Sequence, residues 1–381
     1  MVMKGSGIVE GALRLRLSEA FLTYPAGQEI HTAASGRIAA LHEVFLEIED
    51  RDAGITAMGE VRANIAFITG TPNEAVVPAA VALVEDISRK AQSAEDLAMY
   101  FSERRQFYPK IAQALVDNTL VDLEAKRAGV PACEILGGTF QDAIPCNECI
   151  FWGDDEGMKR NIASYHAAGF TKIKVRVGVG SLESDLRRLA YLCNTYGDTI
   201  RLCIDANGAW TADEALHAIA AFARFDLDYV EQPTIAGDWD ALNRVAKETG
   251  HRIVIDEGLQ TDADVEHLCK ADGNVAAHLK IAKAGGVRPM VDIGRRLHAA
   301  GIGCIAGQMN EGATATAIAV HAAMALDPLV GELYGARGIQ DDPCSGVVYG
   351  RGQVSVPRAP GIGVTPPDRD RLTTVWGSSS A

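Results

Sequence analysis

The chain lacks any run of 18 apolar residues, which argues against a membrane-spanning helix. It also lacks a basic tract. Its 36 Lys and Arg stand against 50 Asp and Glu, for a net charge of −14, which argues against nucleic acid or an anionic membrane surface as partner. The opening MVMKGSGIVEG holds no apolar stretch of signal-peptide length, so a cytoplasmic location is expected. Aromatic residues make up only 6%, yet 48% of the chain is hydrophobic, enough for a large core. The eight cysteines (133, 146, 149, 193, 203, 269, 304 and 344) are scattered through apolar contexts and are expected as buried free thiols. Cys146 and Cys149 have CxxC spacing, but no second pair or histidine cluster accompanies them, which favours a plain strand over a metal or redox site.

What is present falls into two parts. From about residue 8 to 65 the chain reads as strands: ALRLRL, HEVFLEIED, a turn at Asp52-Ala53-Gly54, and ITAMGEV. Two helical patterns follow, AVVPAAVALVEDISRKA and KIAQALVDNTLVDLEAKRAG, with apolar positions recurring at three and four and Gly129 closing the second. Residues 1–135 are therefore expected to form an α+β domain, with Gly137-Gly138 at its boundary. From Ala143 on, strand-like runs alternate with amphipathic stretches: IPCNECIF, TKIKVRV, RLCIDA, YVEQP, RIVID, AAHLKIA, GCIAG and VGELYG. Eight strands alternating with helices point to a (β/α)8 barrel over residues 136–345, its last helix short. The tail, residues 346–381, is too rich in Gly and Pro for a helix and is expected to return to the first domain.

Five ends of these runs carry chemistry: Lys174, Asp205, Glu231, Asp256 and Lys280. The carboxylates stand 26 and then 25 positions apart, and Lys280 follows Asp256 by 24, which is the length of successive βα units. In a ring of eight strands the second and sixth are opposed, so the two lysines would face each other across a metal site. Lys172 shares a strand face with Lys174, and Asn207 one with Asp205. A proton α to a carboxylate is very weakly acidic, because its removal leaves a dianionic enolate. A divalent ion stabilises that charge by several kcal/mol, and three oxygen ligands with open positions suit Mg²⁺ or Mn²⁺. A lysine serves as base once neighbouring cations and partial burial lower its pKa to about 7–8.

The KIK, DAN, EQP, DE and LKIAKAGG segments, in this order and spacing, resemble the enolase superfamily. Within it they are similar to the muconate-lactonizing subgroup, and the resemblance covers nearly the whole chain. It implies a (β/α)7β-type TIM barrel with an N-terminal α+β capping domain, and a homo-oligomer. One Mg²⁺ or Mn²⁺ per chain would sit on Asp205, Glu231 and Asp256, with Lys174 and Lys280 flanking a small carboxylate substrate. GELYG resembles an eighth-strand segment of the cycloisomerases and maps the glutamate near their reacting centre to Glu332. AFITGTP resembles a stretch of dipeptide epimerases, but their eighth-strand Asp-x-Asp is missing. The implied enzyme is a cycloisomerase or a racemase/epimerase, with a dehydratase as the alternative. A barrel that only binds a ligand would have no use for opposed amines. Glu257 reads as a neighbour supporting the ligands, Lys283 as structural, and Gly285-Gly286 as close packing of a loop. The polar segment QEIHTAASGR, with Glu29, His31 and Arg37, is a candidate substrate loop, and residues 20–36 are expected to lie over the barrel mouth.

Overall fold

In a computed structural model, residues 12–25, 30–32, 36–271 and 273–377 of the chain are described. The N-terminal part holds β1 (Leu13–Leu22), a hairpin of β2 (Ile30–Thr32) and β3 (Gly36–Ile38), then β4 (Leu41–Asp50) and β5 (Ile55–Arg62). β1, β4 and β5 pair antiparallel in one sheet. Their alternating apolar residues face helices Asn73–Ser88 and Lys110–Ala128. In β1 the buried set passes from one face to the other: Leu15 and Leu17 enter the main core, while Ala20 and Leu22 on the opposite face join a second cluster with Phe45, Ala313 and Cys344. Helix Lys110–Ala128 lies so close on β5 that a Cβ at Gly59 would fall 2.7 Å from the Leu115 carbonyl oxygen. Only glycine permits that approach.

The second part is a ring of parallel strands. β6 (Ile144–Pro145) leads into β7 (Glu148–Ile150), β8 (Lys172–Arg176), β9 (Arg201–Asp205), β10 (Val230–Glu231), β11 (Ile253–Ile255), β12 (Val275–Lys280), β13 (Gly303–Gly307) and β14 (Gly331–Glu332). β7 to β14 neighbour one another in chain order, and a bridge between Cys146 and Gly331 joins the last to the first. A helix follows each strand from β7 to β13. After β14, among the described residues, come β15 (Val348–Gly350), β16 (Gln353–Ser355) and β17 (Thr373–Gly377) with no α-helix between them. The expected (β/α)7β barrel is what forms, and the short eighth helix suggested by the pattern is absent from the described residues. β16 pairs with β6, while β17 adds to the N-terminal sheet beside β1. All eight cysteines are free, and Cys146 and Cys149 are buried in and beside the first barrel strand. No described helix is long and apolar enough to cross a membrane.

Two neighbouring β5 residues fasten the N-terminal part to the barrel. Helix Ala313–Leu326 begins at Gly312, which offers no capping side chain. Glu60 supplies the cap from across the interface, accepting from Gly312 N at 3.2 Å and from Ala315 N at 2.8 Å. Arg62 donates to the carbonyls of Met309 at 2.6 Å and Asn310 at 3.3 Å, in the loop just before that helix.

Candidate active site

Six of the eight strand ends contribute a residue to a common centre at the C-terminal face of the barrel. In register, Arg176 of β8 pairs with Asp205 of β9, and Asp205 pairs with Glu231 of β10. Asp256 follows directly after β11, and Lys280 and Glu332 close β12 and β14. The turns are held locally. Asn207 N donates to Asp205 Oδ1 at 2.8 Å. Gln232 Oε1 accepts from Asp256 N at 2.9 Å and Gly258 N at 3.0 Å, which fixes the turn that carries Asp256.

The carboxylates lie in a web of cations. Arg176 donates to Asp205 and, at 3.2 Å, to Asn207 Oδ1. Lys174 Nζ lies 3.1 Å from Glu231 and 3.4 Å from Asp205, and also donates to Glu332. Lys280 donates to Asp256 Oδ2. Lys283 reaches Asp256 Oδ1 at 2.7 Å and the backbone carbonyls of Asp256 and His278 at 2.6 and 2.8 Å. His278 Nδ1 sits 2.8 Å from Glu231 Oε1 and 3.9 Å from Asp256 Oδ2. Burial pushes Glu231 upward, but Lys174 and His278 outweigh it and hold the carboxyl below its ordinary range. Burial likewise opposes Lys280 and Lys283 at Asp256, and the lysines win, so Asp256 is also held low. Burial disfavours the Lys174 ammonium, yet Glu231 and Glu332 raise its pKa above the usual lysine value. Burial and the Asp256 charge raise Glu257, whose Oε1 accepts from Asn207 at 2.9 Å.

The donor set fits a divalent ion. Asp205, Glu231 and Asp256 are each at most 2% exposed, all offer hard oxygen ligands, and Lys174 and His278 link them within the distances above. Among the described residues, the ligand atoms of Glu231, His278 and Glu332 also lie within 4.8 Å of one another. His278 Nε2 is buried with no hydrogen-bond partner, as is Oε2 of Glu257. Gly307 makes room for that imidazole, since a Cβ there would fall 1.9 Å from Nε2.

The register revises the expected placement of the β8 lysines. Lys174 lies level with Cys203, two residues below the strand end, and has no exposed surface. Arg176 stands at the mouth instead, and with Lys280 and Glu332 it lines the cavity there. Lys172 is level with Arg201, the first residue of β9. That is about 13 Å below Asp205 at 3.3 Å per residue. Its Nζ points to the Leu329 carbonyl, 3.5 Å away, so it stands apart from the carboxylates. The reason is that residues 172, 174 and 176 share one strand face, and only pairing with β9 decides which of them reaches the top. His278 and Arg176 escaped the motif reading, although each lies two positions from a lysine it singled out and so shares its face. Lys283, read as structural, is bound to Asp256.

The β2–β3 hairpin lies over the mouth, with His31 O accepting from Trp152 N at 3.2 Å. It turns Ile30 and Ile38 to the cavity, whereas His31 and Arg37 pair with each other in the adjacent register position and do not line it. Within the expected lid, residues 26–29 (and so Glu29) and 33–35 lie outside the described residues. Tyr24 reaches the Gly335 carbonyl beyond β14 and accepts from Asn310 Nδ2 at 3.1 Å. The cavity is about 30 Å³. That is room for a water or two.

A family model described as Enolase C-terminal domain-like matches residues 157–370. The chain is 30% identical to a hydrophobic dipeptide epimerase of Enterococcus faecalis, over 84% of this chain and 90% of that protein. It is 29% identical to muconate cycloisomerase 1 of Pseudomonas putida, over 67% of this chain and 69% of that protein. In three dimensions it is similar to the L-Ala-D/L-Glu epimerase of Bacillus subtilis in a substrate-liganded complex. The TM-score is 0.86 at 22% identity, covering 94% of this chain and 99% of that one. The relatives are racemases, epimerases and cycloisomerases.

Proposed function

The chain belongs to the enolase superfamily, and from that premise we propose that it is an isomerase that removes the proton α to the carboxylate of a small acid. Asp205, Glu231 and Asp256 would hold a divalent ion, Mg²⁺ or equally Mn²⁺, which on substrate oxygens supplies several kcal/mol of charge stabilisation. The observation that carries this reading is the position of Lys280. It closes β12 beside Asp256 and borders the cavity, so its amine can reach an α-proton of an acid seated there.

The remaining residues take supporting parts. Lys174 is the buried cation that keeps Asp205, Glu231 and Glu332 together and charged. His278 orients Glu231, and Lys283 orients Asp256. Glu332 faces the substrate, held by Lys174 and by Asn147 Nδ2 at 3.0 Å. Ile30 and Ile38 turn apolar side chains to the site and would keep water from it. On this reading residues 1–135, joined by β17 from the tail 346–381, act as the cap and residues 136–345 as the catalytic barrel, on which β16 of the tail packs. A cytoplasmic, homo-oligomeric enzyme accords with the family resemblance.

The test is solvent-deuterium incorporation in D₂O with Mg²⁺. The probes are both epimers of Ala-Glu at the glutamate α-carbon, hydrophobic dipeptides and muconate, after the substrates named for the relatives. Incorporation that EDTA abolishes, that Mg²⁺ or Mn²⁺ restores, and that Lys280→Ala lowers by about 10²–10⁴-fold supports the reading. Undiminished incorporation in thoroughly chelated protein, or in Lys280→Ala, refutes it.

A further inference from the structure

We infer that this site moves its proton on one face only, because the residue opposite Lys280 is a guanidinium, and that Arg176 binds a second anionic oxygen of the substrate. The inference rests on the proposed α-proton abstraction. β8 and β12 lie four strands apart in a ring of eight, so Arg176 and Lys280 approach the cavity from opposite sides. The lysine that could have served as a second base is Lys174, two residues lower. It has no exposed surface, it does not line the cavity, and its ammonium is engaged by Asp205, Glu231 and Glu332. A base must come within hydrogen-bond reach of the proton it takes. Lys174 cannot do so through three carboxylates. Arg176 can reach, but a guanidinium stays protonated in proteins and has no acceptor atom.

What Arg176 offers is donors. One terminal nitrogen is used on Asp205 and Asn207, while its Nε is buried with no hydrogen-bond partner. The plane is steadied by the Phe151 ring, 5.9 Å from the guanidinium carbon. A buried, unpartnered donor on a fixed cation calls for an anionic oxygen. The substrate class is therefore an acid with a second carboxylate, or a lactone whose ring oxygen carries negative charge as the reaction proceeds.

The chemistry follows from that asymmetry. The α-C–H bond breaks, its proton goes to Lys280 Nζ, and its electron pair enters the substrate carboxylate as an enolate. The pair then either takes the proton back from Lys280 on the same face or expels an oxygen at the β-carbon, whose charge Arg176 receives. The reverse sequence closes a ring. Inversion at the α-carbon would need a group on the Arg176 face that gives up its proton and regains it, which a guanidinium does not do. The site thus suits cycloisomerisation and its reverse, and does not suit racemisation.

The experiment compares wild type, Arg176→Lys and Arg176→Met on both stereoisomers of each acid that wild type exchanges in D₂O. Wild type should exchange one stereoisomer at least about 100-fold faster than the other, the size of a general-base contribution, and should not interconvert them. Arg176→Lys should begin to exchange the second stereoisomer. Arg176→Met, which adds no base, should keep single-face exchange and raise KM for the diacid more than for a monoacid. Racemisation or equal exchange of both stereoisomers by wild type would overturn the inference while leaving the proposed α-proton chemistry standing. Unchanged KM ratios in Arg176→Met would overturn the assignment of the second oxygen. If wild type exchanges no acid at all, the proposed function fails, and this inference fails with it.

Discussion

Replacing Lys174 by methionine isolates the buried cation from everything else at the site. Its ammonium serves Glu231 at 3.1 Å, Asp205 at 3.4 Å, and Glu332, and none of these side chains is more than 3% exposed. Methionine fills a similar volume without the charge. Glu231 would keep His278 and Asp205 would keep Arg176, but Glu332 would be left with the neutral Asn147 amide and His278 Nε2 at 3.9 Å. Breaking a buried pair in this way costs about 3–5 kcal/mol. With an unfolding entropy of about 2.1 cal/mol/K per residue, a chain of 381 residues has about 0.8 kcal/mol/K, so the midpoint should fall by about 4–6 °C. Thermal unfolding followed by dye fluorescence in EDTA measures it. Adding Mg²⁺ should recover more stability in Lys174→Met than in wild type, because the ion replaces the missing positive charge. The double variant Lys174→Met/Glu332→Gln should regain part of the loss, since one uncompensated carboxylate is removed. A Tm in EDTA within about 1 °C of wild type would refute the idea that Lys174 holds the carboxylates together.

His321 gives a pH signature away from the site. Burial lowers its pKa from 6.5 to about 4, and its Nδ1 accepts from Cys133 N at 3.2 Å, which an imidazolium cannot do. Between those values the unfolded chain binds the extra proton, so the stability contributed by His321 is complete above pH 6.5 and lost as pH falls toward 4. The loss should reach about 3 kcal/mol, and His321→Gln should flatten it in urea titrations; an identical pH slope in the two proteins would contradict the assignment. At Gly307 an alanine Cβ would meet His278 Nε2 at 1.9 Å and push the imidazole off Glu231. Gly307→Ala should weaken Mg²⁺ binding by about 10–100-fold in calorimetric titration, and a change under about twofold would show that His278 does not orient the ligand.

The barrel was legible because its repeat is coarse. A strand, a helix and two loops consume about 25 residues whatever their details, so the spacing of Asp205, Glu231 and Asp256 survives in the bare sequence. The height of a side chain within a strand is finer than that repeat. KIKVR offers three cations on one face, and which of them stands at the mouth depends on hydrogen bonds to β9 that no local pattern encodes. His278 was missed for a related reason: a histidine in an apolar strand reads as core, and only Glu231 arriving from β10 makes it a partner. The hairpin shows the same limit. Its polar residues drew attention, yet period-two alternation turns Ile30 and Ile38 to the cavity.

Glu60 and Arg62 lie two positions apart on β5, yet together they hold the loop and helix start from Met309 to Ala315. Gln308, Met309 and Asn310 line the cavity, as do Ile30, Ile38 and Arg62 from the cap. The two halves of the pocket are thus joined at this seam, beside the Tyr24 contacts to Gly335 and Asn310. In an exchange of parts between relatives, a foreign cap would arrive with the wrong key for the seventh barrel loop unless residues 60–62 and 308–315 travelled together. Change in this wall of the pocket is tied to change in the seam, because Arg62, Met309 and Asn310 belong to both.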